Sequence, residues 1–170
     1  RTPSNDPAKA SKRSGAAMII GAWVVILALS ATLFHDWIEE QFNPNQQPTR
    51  PTGETAAGTA IELAPNRYGH YVASGVINGE PVVFLLDTGA TTVALPAVVA
   101  ERLGLRRGQQ IMMSTANGMS KGYRTRLNQV GLGAISLSGV DATIAPGMSG
   151  EEVLLGMSFL ERLNWQRNGD

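Results

Sequence analysis

The chain has 170 residues, with 14 basic and 14 acidic side chains and a formal net charge of zero. This balance does not favour nucleic acid as a partner, and the basic residues do not cluster with aromatic ones as they do in RNA-binding modules. The absence of cysteine excludes thiol nucleophiles, disulfides and thiolate metal sites, and two histidines are too few for a His-rich metal cluster.

The first predicted element is a transmembrane helix at residues 15–35. Gly15–Phe34 carries no charge and is long enough to cross a hydrocarbon core of about 30 Å. Basic residues precede it and acidic residues follow it, so the positive-inside rule places residues 1–14 in the cytoplasm and the rest of the chain in the periplasm, beyond the inner membrane. A cleaved signal peptide is the alternative, although the run exceeds the about 7 to 15 apolar residues usual for one.

Residues 36–59 are rich in Pro, Gln and Thr. A segment with so few large apolar side chains cannot bury a core, so we predict a tether. The folded domain is then expected at residues 60–170, which is enough for a small hydrophobic core.

The pattern of the folded part predicts mainly strands with two short helices. Asn78-Gly79 separates two apolar runs and predicts a hairpin of Tyr71–Ile77 with Pro81–Leu86. Val93–Leu95 is a further short strand. Pro96 and Gly104 have the positions expected at the start and the end of a short helix.

The second half of the domain predicts another hairpin, with Asn117-Gly118 and Gly122 in a long flexible tip. Two more short strands are expected on either side of Gly139. The run "EVLLGMSFLERLNW" predicts a buried strand followed by a helix near Ser158.

One acidic residue, Asp87, interrupts the apolar run that ends the first hairpin. Burying a carboxylate costs several kcal/mol unless it is hydrogen-bonded or paired. Asp87 is followed by Thr88 and Gly89, and this triplet alone is a weak signal. Its flanks, "VVFLL" and "ATTVAL", and the later run "VLLGMSFL" make it more specific.

Together these segments resemble the retroviral-type (clan AA) aspartic proteases, in particular the single-span, membrane-anchored bacterial members. The matching segments are Asp87-Thr88-Gly89-Ala90-Thr91, Ser114–Gly118 and Leu154-Leu155-Gly156. The resemblance implies a mainly β, retropepsin-like acid protease barrel with short helices that forms one half of a two-fold dimer.

The resemblance also implies a mechanism in which each subunit of a homodimer supplies one Asp-Thr-Gly loop, so that Asp87 meets Asp87 of a second copy. Two carboxylates about 3 Å apart cannot both ionise and therefore share one proton. The ionised group activates a water molecule, and the protonated group polarises the scissile carbonyl. No cofactor or metal is expected.

The resemblance assigns supporting roles around this acid. Thr88 hydrogen-bonds across the dimer, and Gly89 lets backbone N–H groups approach the carboxylates, with Ala90 in the same loop. Leu154 and Leu155 are expected in the core behind the loop. A flap would bind an extended substrate through its backbone, with an ordinary surface hairpin as the alternative. The flap residues are Thr115, Ala116, Asn117 and Gly118.

Other motifs are weaker. "GLGAIS" lacks the third glycine of a dinucleotide loop, and "GMSFL" lacks the closing glycine of a nucleophile elbow. Arg124 and Arg126 alternate along a strand and are interpreted as a solvated face. Related domains continue past the last helix into a dimer strand, whereas this chain stops at "NWQRNGD", so we expect a C-terminally truncated domain with a weakened dimer.

The predicted function is that of a membrane-anchored aspartic endopeptidase, which cleaves extended peptide segments with apolar side chains around the scissile bond. The apolar preference is implied by the resemblance. The alternative is a catalytically silent dimer of the same fold that binds peptides or acts as a membrane-tethered scaffold. Such a protein would lose the acid or the glycine, and this sequence retains both Asp87 and Gly89.

Overall fold

The computed structural model describes residues 7–48, 60–115 and 118–167. The chain divides into two compact units, Arg1–Glu39 and Glu40–Asp170.

A long helix, α1, runs from Pro7 to Phe42. Its segment Met18–Phe42 has a mean hydropathy of 2.1 and is long and apolar enough to cross a membrane, a property that membrane spans share with signal sequences. The helix extends past the predicted 15–35 span into the predicted tether. It ends at Phe42 because Asn43 precedes Pro44, and the residue before a proline avoids helical dihedral angles.

The residues after α1 pack against the folded domain. Asn45 is 7% exposed and forms a parallel bridge with Ala73. Its side-chain amide donates to the carbonyl oxygens of Ala64 and Val72, at 2.8 and 2.7 Å, and its carbonyl oxygen accepts from Ala64 N at 2.8 Å. The part of the predicted tether around Asn45 is therefore ordered, because the buried side-chain amide of this residue forms hydrogen bonds with three backbone groups. Residues 49–59 of that tether lie outside the described part.

Seven strands and two short helices follow in the described residues. They are β1 Val72–Ile77, β2 Glu80–Leu86, β3 Val93–Pro96, α2 Ala97–Arg102, β4 Gln110–Thr115, β5 Gly118–Leu132, β6 Ile135–Ala145, β7 Val153–Leu155 and α3 Met157–Leu160. The strand order is β1-β2-β7-β3-β6-β5-β4, and β1 also pairs with β5, which closes six of the strands into a barrel. This confirms the predicted mainly β fold with short helices.

Two predicted local structures are confirmed. Asn78 and Gly79, with φ of 54° and 88°, form the turn between β1 and β2, as a two-residue hairpin with positive φ at both positions requires. Helix α2 begins directly after Pro96, and Gly104 follows its end with φ of 63°.

Two predicted boundaries are wrong. Gly122 lies inside β5, opposite Ile111, because the pairing of β4 with β5 extends as far as Thr115 and Gly118. The predicted long tip is therefore shorter than expected. Gly139 lies inside the single strand β6, where its positive φ of 63° bends the strand without ending its pairing with β5.

The core fills the barrel with side chains from alternating positions of the strands. Phe159 of α3 closes it, and Leu155 of β7 is also fully buried. Leu154, its neighbour, is half-buried, since successive residues of a strand point to opposite faces. The expectation that both leucines belong to the core holds for Leu155 alone. The largest fully buried side chains are Phe84, Phe159, Ile77, Leu95, Leu127, Ile144 and Leu155.

Candidate active site

Asp87 lies directly after β2, at the start of a turn formed by Thr88 and Gly89. Its side chain is half-buried, whereas Thr88 and Gly89 are exposed. Gly89 N donates to Asp87 Oδ1 at 2.9 Å, and Ala90 N donates to the Asp87 carbonyl oxygen at 3.2 Å. The turn thus holds one carboxylate oxygen, and within the described residues no hydrogen bond is recorded to the other oxygen.

The position of Gly89 leaves little room for a side chain. A methyl group there would lie 3.2 Å from Asp87 Oδ1. Glycine therefore allows the backbone N–H to approach the carboxylate without crowding it.

Strand β7 holds the turn in place. It lies between β2, to which it is parallel, and β3, to which it is antiparallel. Asp87 N donates to Leu155 O at 3.3 Å, which continues the β2–β7 ladder to the acid itself. The two strands that flank the Asp87 turn are therefore joined through a third strand from much later in the chain.

Gly156 follows β7 and allows the backbone after this strand to pack closely against the Asp87 turn. Met157 N donates to Ala90 O at 2.8 Å, and Ser158 N donates to Thr91 O at 3.0 Å. A Cβ atom on Gly156 would overlap Thr92 O and lie 2.6 Å from Ala90 O. The φ of Gly156 is −88°, which any residue can adopt. Glycine is therefore required here because a side chain would not fit, and not because of the backbone conformation.

Ser158 is a further positioning residue, which the sequence interpretation missed. Its hydroxyl donates to Asp141 O at 2.7 Å and accepts a hydrogen bond from Val93 N at 3.0 Å. Ser158 therefore connects the end of the Asp87 turn to β6. A polar residue inside the apolar run "GMSFL" was the signal that could have identified it.

We expect Ser158→Ala to lower the free energy of unfolding by about 1–3 kcal/mol, because it leaves the part-buried Val93 N–H without its acceptor. Urea unfolding followed by circular dichroism measures this. Ser136→Ala is the matched control, since the exposed Ser136 hydroxyl accepts a bond from the Gln129 side chain and not from a backbone N–H of the described residues. Equal stability of the two variants would contradict the positioning role.

Of the predicted flap residues, Thr115 ends β4 and Gly118 begins β5. Thr115 Oγ1 donates to Gly118 O at 2.7 Å, and Gly118 has φ of 103°. Ala116 and Asn117 lie outside the described residues. Within the described part, no hydrogen bond joins this hairpin to the Asp87 turn.

These features have counterparts in known proteins. Residues 73–162 match the sequence model of the family described as "gag-polyprotein putative aspartyl protease". The crystal structure of a retropepsin-like aspartic protease from Rickettsia conorii is similar, with a TM-score of 0.53 and 31% identity over 63% of this chain and 90% of that one.

Two further relatives are uncharacterised proteins. One, from Sinorhizobium, is 33% identical over 98 residues, which cover 56% of this chain and 42% of that protein. The other, from Rickettsia prowazekii, is 31% identical over 106 residues, which cover 60% of this chain and 45% of that protein. The chain therefore spans less than half the length of these two relatives.

Proposed function

Because this chain belongs to the gag-polyprotein aspartyl protease family and has a retropepsin-like barrel, we propose that it is an aspartic endopeptidase whose active site forms between two copies. The observation that carries the proposal is the Asp87 turn, in which an acid at a strand end is held by Gly89, Leu155 and the residues after Gly156. Such a framework positions the acid before any substrate arrives.

A second copy is needed because the sequence contains one Asp-Thr-Gly triplet. Asp141 does not replace the second acid, since its exposed side chain lies on β6 and pairs with Arg126 at 3.7 Å. In a homodimer, Asp87 of each copy would lie at the two-fold axis. The carboxylate oxygen left without a hydrogen bond in the described residues would then be available to the partner's acid and to water.

The paired acids account for the chemistry without a covalent intermediate. The ionised carboxylate takes a proton from water as the water oxygen attacks the scissile carbonyl carbon, and the protonated carboxyl donates to the carbonyl oxygen. Proton transfer to the amine nitrogen then releases both products. Thr88, Gly89 and Ala90 would keep the two turns in register.

The β4–β5 hairpin is proposed to bind the substrate through backbone atoms of residues 115–118. An extended peptide would add to it in the manner of a strand, with apolar side chains around the scissile bond. The exposed side chains of Met112 and Met119 on this hairpin are suited to such contacts.

We further propose that α1 anchors the enzyme in the inner membrane with the barrel in the periplasm. The exposed apolar surface of Met18–Phe42 supports a membrane span, and the basic residues before it support the orientation. A cleaved signal sequence remains the alternative, and the size of the mature protein in membrane fractions distinguishes the two.

The dimer model is tested by the concentration dependence of cleavage. Below the dissociation constant of the dimer, the rate per chain should rise in proportion to protein concentration and then reach a plateau. The measurement is cleavage of a denatured protein by the full chain in detergent, with the oligomeric state followed by sedimentation.

A mixing experiment supplies the control. An excess of Asp87→Asn chains should lower the wild-type rate by forming mixed dimers with one altered acid, whereas an equal excess of Asp141→Asn chains should not. A constant rate per chain in a species shown to be monomeric would contradict the proposal.

A further inference from the structure

The long strand β5 changes its neighbour along one side of the barrel. It pairs with β4 through Gly118–Tyr123 and, on the same side, with β1 through Val130 and Gly131. Arg124 and Gln129 still bond to the residues next to those strands. Residues 125–128 therefore have no strand partner on this side among the described residues, and a short stretch of sheet edge is open.

An open cavity of about 720 Å³ lies at this edge. One wall is formed by β5 and by Asn78 of the β1–β2 turn, and the opposite wall by the loop from Leu103 to Gly108. We call this cavity the β5 notch. Its volume is far larger than a simple inorganic anion needs and is in the range of sites for peptides and small ligands.

The β5 notch is cationic. Its lining contains Arg106, Arg124 and Arg126, and no acidic residue of the described part lines it. Arg126 forms a long, exposed ion pair with Asp141 at 3.7 Å. Within the described residues, the side chains of Arg106 and Arg124 form no hydrogen bond and no ion pair. Two of the arginines that line the notch therefore have no intramolecular anion in the described part.

The spacing of the arginines along β5 indicates how the charges of a ligand would be spaced. Arg124 and Arg126 are two residues apart on β5 and share a face of the strand, at about 3.3 Å per residue. An added strand presents its own alternate residues on that same face, where opposite charges in cross-strand positions attract. Arg106 lines the same cavity from the Leu103–Gly108 loop and supplies a third cationic side chain.

We propose that the β5 notch is a binding site for an extended acidic peptide segment with Glu or Asp at alternate positions. The segment lies along residues 125–128 of β5, and its carboxylates pair with Arg124, Arg126 and Arg106. Asn78, which lines the notch, lies just before the first residue of β2, whereas Asp87 directly follows the last residue of this strand. The β5 notch is therefore separate from the proposed cleavage site. It would recruit a partner protein through an acidic segment of that partner.

Peptide binding to the full-length Asp87→Asn chain in detergent tests the proposal. This variant cannot cleave the probe by the proposed mechanism, so the result is independent of whether the protein is a protease. The probe is a fluorescent octapeptide of alternating Glu and Thr, followed by anisotropy, and the control peptide has Gln for Glu. We expect saturable binding of the Glu peptide only, weakened by salt.

Charge reversal locates the site. Arg106→Glu and Arg124→Glu, each added to the Asp87→Asn chain, should weaken binding by roughly tenfold, because like charges then meet the peptide. Arg67→Glu, the same charge change on an exposed residue outside the notch, should alter it less than about twofold. Circular dichroism confirms that each variant is folded, and Arg106→Gln should give an intermediate loss.

The proposal would be overturned by absence of saturable binding, by equal weakening in Arg67→Glu, or by displacement by inorganic phosphate at the concentration at which unlabelled peptide competes. Displacement by phosphate would indicate a site for small anions. Weaker binding of a peptide methylated at alternate backbone nitrogens supports pairing with the β5 edge, and unchanged binding contradicts it.

Discussion

Asp87→Asn is expected to abolish peptide cleavage and to leave the barrel folded. The amide cannot take a proton from water, so the general-base step is lost, which corresponds to a decrease in rate of about 10²–10⁴-fold or more. The fold should persist because Asp87 is only half-buried and an amide oxygen can still accept the bond from Gly89 N. The measurement is cleavage of a denatured protein by the full chain from about pH 4 to about pH 8.

Asp141→Asn is the matched control for this experiment. It makes the same chemical change on a carboxylate whose side chain is 72% exposed and lies outside the proposed site. The control should cleave at the wild-type rate. Activity retained by Asp87→Asn would exclude Asp87 as the catalytic acid, and a folded, dimeric wild type that cleaves nothing would favour the silent scaffold.

The second large effect is expected for Gly156→Ala, which should lower the free energy of unfolding by about 3 kcal/mol or more and remove cleavage activity with it. The added methyl group would overlap Thr92 O and lie 2.6 Å from Ala90 O. Both are backbone atoms that no rotamer change can move. The strand-to-helix connection would have to shift, which would break the bonds from Met157 N and Ser158 N that hold the Asp87 turn.

Gly104→Ala separates this steric effect from the general effect of replacing glycine. Gly104 has φ of 63° and open space around its Cβ position, so alanine there is strained only by the backbone, at about 1 kcal/mol. Urea unfolding of both variants and cleavage by each give the comparison. Equal losses of stability would contradict the close approach as the reason for glycine at position 156.

The features that local sequence determines were predictable. The Asn78-Gly79 turn, the Pro96 and Gly104 boundaries of α2 and the acid after β2 depend on dihedral preferences and short-range patterns. Gly122 and Gly139 were misinterpreted because glycine marks a turn and a strand interior equally well. Only the pairing of β5 with its neighbours distinguishes the two.

Long-range partners account for the rest. The hydroxyl of Ser158 acts on Val93, which is 65 residues away in the chain, and Asn45 acts on Ala64 and Val72 from a segment whose composition is typical of a tether. Arg124 and Arg126 were interpreted as a solvated face from their alternation alone. The fold adds Arg106 on the opposite wall, a neighbour that their spacing on one strand could not indicate.

The place of β7 in the chain order has a consequence for biosynthesis. When Asp87 leaves the ribosome, its supports at Leu155, Met157 and Ser158 are still untranslated. The parallel pairing of β2 with β7 must also span the whole intervening chain, and such non-local pairing forms late in folding. The Asp87 turn of a nascent chain therefore lacks these supports until synthesis of the barrel is nearly complete, so the turn is expected to be among the last parts of the barrel to become ordered.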